Sequence, residues 1–185
     1  MSVPDHQTSH RRSLRLRDPL RKLFLSSSGA TAVEFALVAA PFLALLVAIL
    51  EITLLFFAQE VLQTATTQAA RLIMTGQAQS SNMNAAQFKS SVCAAASALF
   101  DCAGIYVNVQ TFSSFSSMTM LNPLQDGTFN NSAMNYSAGK PGDIELVQVF
   151  YQWPVLTAPL NFSLSNMNGN NHLLVATAVF RNEPY

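Results

Sequence analysis

Three groups of side chains in this sequence could do chemistry. Cys93 and Cys102 are its only two cysteines. Such a pair can close a disulfide, cycle as a redox couple or help to hold a metal. A metal site is poorly supplied, because zinc usually takes four ligands and His172 is the sole histidine after Gly29. The spacing is not Cys-x-x-Cys, and no histidine lies near either thiol to activate it. An even count favours a disulfide if this part of the chain faces an oxidising compartment. The second group is the serine run from Ser113 to Ser117 together with His172. It lacks the Gly-x-Ser-x-Gly pattern and a paired base, so no catalytic constellation, cofactor motif or small-molecule site is legible. The third group is Glu34 and Glu51, two carboxylates in an otherwise apolar stretch. On standard helical rise they sit about 25 Å apart, which suits a proton relay poorly and places Glu51 near an interface. Glu34 is the anomaly: an acid at the entrance of a membrane-length helix, five residues after Gly29.

The elements that must position these groups follow from charge and periodicity. The 185 residues carry ten Lys and Arg against ten Asp and Glu, but the balance is uneven. Six of the basic residues (Arg11, Arg12, Arg15, Arg17, Arg21, Lys22) precede Gly29, opposed there by Asp5 and Asp18. A basic cluster abutting an apolar run reads as a cytoplasmic flank rather than a nucleic-acid surface, with the C-terminal part outside. The run from Phe35 to Ala58, interrupted by Glu51, is long enough to cross a bilayer core of about 30 Å. A cleaved secretory signal would have a shorter core and a polar mature start. Here the apolar stretch flows into an amphipathic one, so Ala30 to Thr75 reads as one long helix, kinked at Pro41 and capped at Gly76. Ala58, Val61, Leu62, Ala65, Ala69, Leu72 and Ile73 share one face.

After a polar linker, Gln77 to Met83, Asn84 and Gln87 form a capping-box pattern ahead of a second, shorter helix. Three strands follow: from Ile105, from Ile144 to Trp153 and from Leu173 to Arg181. The middle one shifts phase between Leu146 and Val147, as at a bulge or in a strand buried on both faces. Two polar loops, Ser113 to Gly142 and Pro154 to Asn171, separate them. The fold class is α+β: a long N-terminal transmembrane and amphipathic helix, a second short helix and a small antiparallel sheet of about three to four strands.

The heptapeptide Gly29-Ala30-Thr31-Ala32-Val33-Glu34-Phe35, between a basic leader and an apolar helix, resembles the processing site of Flp-type prepilins, with Phe35 in place of a tyrosine. The wider chain is similar to TadE-like proteins of the tight-adherence (Flp, type IVb) pilus system. That similarity includes Gln68-Ala69-Ala70-Arg71, the pair Cys93 and Cys102, and the ending Ala178-Val179-Phe180-Arg181-Asn182-Glu183-Pro184-Tyr185.

The resemblance implies a pilin-like fold and a prepilin peptidase that cuts between Gly29 and Ala30, with Glu34 and Phe35 completing the recognition site. The product would be a non-enzymatic minor pilin or pseudopilin. Its partners would be the membrane, other pilin-like subunits and pilus assembly proteins, with no nucleic acid and no cofactor. Its place would be the bacterial inner membrane, N-terminus cytoplasmic and C-terminal domain periplasmic. The corresponding division is a leader at 1–29, a membrane span at 30–58, an exported helical extension at 59–76 and an exported α+β domain at 77–185. The alternative is a single-span anchored binding module that is never cut.

Overall fold

The computed structural model describes residues 27–156 and 164–185. Most of the expected leader and the centre of the second polar loop lie outside the described residues. The chain divides into two compact units, Met1–Leu45 and Leu46–Tyr185. In the first unit the described residues are entirely helical, and from Thr31 to Val38 all are exposed.

The first helix, α1, runs Ser27–Met74. It contains Gly29 but no further glycine, and its helical assignment continues through Pro41. A proline there removes the N–H that would meet the carbonyl four residues earlier. The helix ends where Gly76 enters the left-handed region at φ 78°. Thr75 N–H donates to the Arg71 carbonyl and Gly76 N–H to that of Ile73, each at 3.0 Å. Any Cβ at position 76 would run into the Tyr185 ring, so glycine answers both a backbone and a packing demand there.

The linker contains one further helical turn, α2 (Gln77–Ser80). The Asn84 side chain then accepts from Gln87 N–H while the Gln87 side chain accepts from Asn84 N–H, and this reciprocal cap starts α3 (Ala85–Ala96). Phe88, Val92, Cys93 and Ala96 form its buried face.

Among the described residues five strands follow: β1 (Ile105–Phe112), β2 (Leu124–Gln125), β3 (Thr128–Phe129), β4 (Ile144–Pro154) and β5 (Asn171–Arg181). The three long ones form an antiparallel sheet in the order β1-β4-β5, and β2 and β3 form a separate hairpin. Ile105 lies opposite Tyr151, and Ile144 opposite Arg181. The register through β4 is unbroken from Ile144 to Pro154. Its change of hydrophobic phase therefore reflects burial on both faces, with Ile144 to Phe150 all buried, and not a bulge.

One face of the sheet (Ile105, Val109, Val147, Val149, Leu174, Ala176) packs with Ala58, Leu62, Ala65, Ala69 and Ile73 of α1 and with the buried stripe of α3. Small residues on α1 let the backbones approach closely. The opposite face is covered by the first long loop, which packs onto it as a layer. Its Asp126-Gly127 turn, both residues at positive φ, closes the β2–β3 hairpin. Phe129 at its end packs against Tyr106 and Phe150. Gln148, buried in the middle strand, accepts from Leu121 N–H at 3.1 Å and from Asn108 at 3.2 Å. Asn108 in turn accepts from Asn135 N–H at 3.0 Å.

Both edges of the sheet are occupied. Along β1, Val109 pairs with the Tyr136 segment through Asn135 and Ser137. Along β5, two glutamines of α1 stand in for a strand. Gln59 donates to the Val175 carbonyl, and Gln63 both donates to the Thr177 carbonyl (2.9 Å) and accepts its N–H (3.1 Å). A helix that satisfies backbone groups in this way blunts an aggregation-prone edge.

Candidate functional site

The residues singled out in the sequence lie at separate places along the fold. Gly29, Ala30, Glu34 and Phe35 all sit in the first turns of α1, and the Gly29–Ala30 bond is inside the helix, which begins at Ser27. Glu34 is exposed, as is Phe35 at 74%. Among the described residues Glu34 has no hydrogen-bond partner. Adjacent residues on a helix are turned about 100° from each other, so Glu34 and Phe35 present the carboxylate and the aromatic ring on different sides of the cylinder. Chemically the motif offers a peptide bond between two small residues, a carboxylate and an aromatic ring.

Cys93, in α3, and Cys102, in the helical turn Cys102–Gly104, are joined as a disulfide with Cα atoms 5.5 Å apart. The capped helix and the turn that Asp101 caps, through its side chain and Ala103 N–H, bring the two together. Phe100 between them packs edge-on against Tyr151 (4.8 Å) and Trp153 (5.9 Å), fixing the loop against the sheet. His172 is a β5 residue whose Nδ1 contacts the Leu164 carbonyl. No cluster of three or more His, Cys, Asp or Glu side chains occurs among the described residues.

Glu51, read from the sequence as lying near an interface, has a defined partner in the fold. It is only 7% exposed, and its carboxylate accepts the backbone N–H of Leu156, just past the end of β4. Periodicity places Glu51 on a helix but carries no information about a partner 105 residues away.

A second polar centre was invisible to motif reading. Glu145, fully buried in β4, accepts from Thr111 Oγ1 at 3.2 Å and lies 3.5 Å from Asn182 Nδ2. Asn182 also donates to the Ala138 and Lys140 carbonyls, each at 3.1 Å, and Gln79 donates to that same Ala138 carbonyl at 2.6 Å. The hub therefore ties the C-terminus, the loop before β4 and the turn after α1 to one carboxyl group. Burial raises the Glu145 pKa from 4.5 to about 7, with the Thr111 hydrogen bond opposing and Asp143 adding to the rise. Burial and Glu145 likewise raise Tyr136. The lone acid in Ile144-Glu145-Leu146 was the signal available in the sequence. With no face exposed, Glu145 cannot meet a substrate, so its chemistry is that of a structural acid.

Residues 29–71 match the family model described as TadE-like protein. The match begins at Gly29, takes in Glu34, Phe35 and the whole apolar stretch, and ends at Arg71 near the C-terminus of α1. It implies an association with the tight-adherence pilus and a membrane-spanning N-terminal helix. The helical stretch Gly29–Met74 is long and apolar enough to cross a bilayer. No curated protein and no solved structure matches the chain.

Proposed function

We propose that this chain is a non-enzymatic minor pilin or pseudopilin-like subunit needed to assemble a tight-adherence pilus. In this reading a prepilin peptidase cuts it between Gly29 and Ala30. The observation that carries the reading is the start of the family match at Gly29, where a basic leader gives way to an apolar helix with an acid, Glu34, near its start.

The physical logic is one of charge. A carboxylate at the centre of a membrane helix costs about 2.5–3.5 kcal/mol on insertion scales, less toward the headgroups. Cutting before Ala30 creates an α-amino group, and an amine from a neighbouring subunit is a natural partner for Glu34. The same cut removes six basic and two acidic side chains. Those charges hold the N-terminus on the cytoplasmic side by the positive-inside rule. The cut thus converts an anchored precursor into a subunit that can leave the bilayer sideways into a helical bundle. Exposed Val33, Leu37, Val38 and Phe42 supply an apolar surface for neighbouring helices in that bundle. The exported sheet domain would face the periplasm, with its disulfide formed there.

One observation favours the second reading, an uncut anchored module. The Gly29–Ala30 bond is helical, and a peptidase needs an extended substrate, so cleavage requires the first turns to unwind. Glycine at position 29 lowers that barrier. Co-expression with an active prepilin peptidase and mass measurement of the membrane-extracted product separates the two. The pilin reading expects a chain starting at Ala30, whereas the anchored-module reading expects the full leader.

A further inference from the structure

The exported domain does not begin where the apolar part of α1 ends: the two overlap. Leu50, Leu54, Phe56 and Phe57 are 63%, 52%, 65% and 58% exposed, so the apolar surface of α1 continues to Phe57. Yet the far end of the sheet already reaches the helix at Val47. There Val47, Leu50 and Leu54 face Trp153, Pro154 and Leu156 across an apolar groove of about 230 Å³. The two surfaces share about ten residues of helix, or roughly 15 Å of its length. A bilayer that covers the exposed side chains from Leu50 to Phe57 must therefore also meet the end of the sheet.

The composition of that end fits such a seat. Trp153 is the chain's single tryptophan, a residue type enriched at membrane interfaces. Leu156, next to it beyond Pro154 and Val155, is 79% exposed. Among the described residues the one ionisable group lining the groove is Glu51, and its carboxylate accepts the Leu156 N–H. A backbone N–H near hydrocarbon needs a partner from the protein, because water is scarce there. Glu51 supplies one, which gives this acid a purpose in the apolar stretch.

From this overlap we infer that the Trp153–Leu156 end of the sheet is seated in the outer interfacial layer of the bilayer, with Leu156 directed into lipid and Glu51 holding its N–H. The inference rests on the membrane-spanning reading of α1 and deepens it by naming the lipid contact of the exported domain.

The test is depth-dependent quenching of a single tryptophan in the full chain. The protein is reconstituted into phosphatidylcholine vesicles containing phosphatidylcholine brominated at a shallow or a deep acyl position. The background is Trp153→Phe, carrying either Leu156→Trp or, as a mid-span reference, Phe42→Trp. The expected result is strong quenching at 156 by shallow bromines, weaker by deep ones, with the order reversed at 42. Quenching at 42 with none at 156, where iodide in the buffer quenches instead, overturns the seating and leaves the span intact. Absence of lipid quenching at both positions overturns the span, and the seating with it. A Glu51→Gln variant in the Leu156→Trp background should keep shallow quenching, because its amide oxygen still accepts the N–H. Glu51→Leu should reduce it at least twofold.

Discussion

Replacing Glu145 with glutamine should make the sheet domain more stable at high pH and leave it almost unchanged at low pH. The buried carboxyl has a pKa of about 7 in the folded chain against 4.5 as its ordinary value. Below 4.5 both folded and unfolded chains hold the proton, and burial of a neutral acid carries no ionic penalty. Between 4.5 and about 7 the unfolded chain releases the proton while the folded chain keeps it, so stability falls as pH rises. Above 7 both are ionised, and the full penalty of the buried charge is present. That interval corresponds to about 3 kcal/mol at about 1.4 kcal/mol per pH unit. Glu145→Gln removes the titration while keeping an oxygen for Thr111 and a similar volume.

Urea unfolding of the detergent-solubilised chain, followed through Trp153, reads the effect at pH 4 and pH 8. Other groups titrate in this range too, but they cancel when the variant is compared with the parent at each pH. The gain from Glu145→Gln should rise by about 3 kcal/mol between the two, because the cost of the extra amide N–H is the same at both and drops out of the difference. A gain that does not change with pH would refute the burial argument, as would a variant less stable than the parent at pH 8.

Three further changes probe other parts of the fold. Gln63→Ala strips two hydrogen bonds from Thr177 and should cost about 1–3 kcal/mol, with faster amide exchange at Thr177; exposed Gln68→Ala should stay within about 0.5 kcal/mol. Gly76→Ala should cost more than about 1 kcal/mol, from its positive φ and from collision with the Tyr185 ring. Adding Tyr185→Ala relieves only the collision, so a double-mutant cycle should show coupling between the two; strict additivity would remove the steric part of the argument. Reducing the Cys93–Cys102 bridge, nine residues apart, should lower stability by about 3 kcal/mol on the chain-entropy account, read as a shift in urea midpoint with dithiothreitol.

Local signals were the legible part of this fold. The extent of α1, the Asn84–Gln87 cap, the glycine stop at position 76 and the three long strands each follow from short-range spacing. The class, α+β with a long apolar N-terminal helix, follows from them. The β2–β3 hairpin was legible in principle, since Asp126-Gly127 is a strong turn signal, but its strands are two residues each and carry no periodicity. Glu145, Asn108 and Gln148 were not legible as buried, because strand alternation assigns a polar residue to solvent unless both faces are covered. Whether they are covered depends on a loop whose composition looks like surface. The same limit hid Glu51 and Gln63, whose partners lie more than a hundred residues away. Of the Gly29–Phe35 motif, the sequence supplies the residues and the helix supplies the exposure of Glu34 and Phe35.

The central claim is that this chain is a precursor cut between Gly29 and Ala30. Intact mass and N-terminal sequence of the membrane-extracted protein, with and without an active prepilin peptidase, test it most directly. The account predicts a mature chain beginning Ala30-Thr31-Ala32 only when the peptidase is active, and an uncut chain for Gly29→Leu. A leader that persists beside an active peptidase, or a chain cut equally well without Gly29, would contradict it.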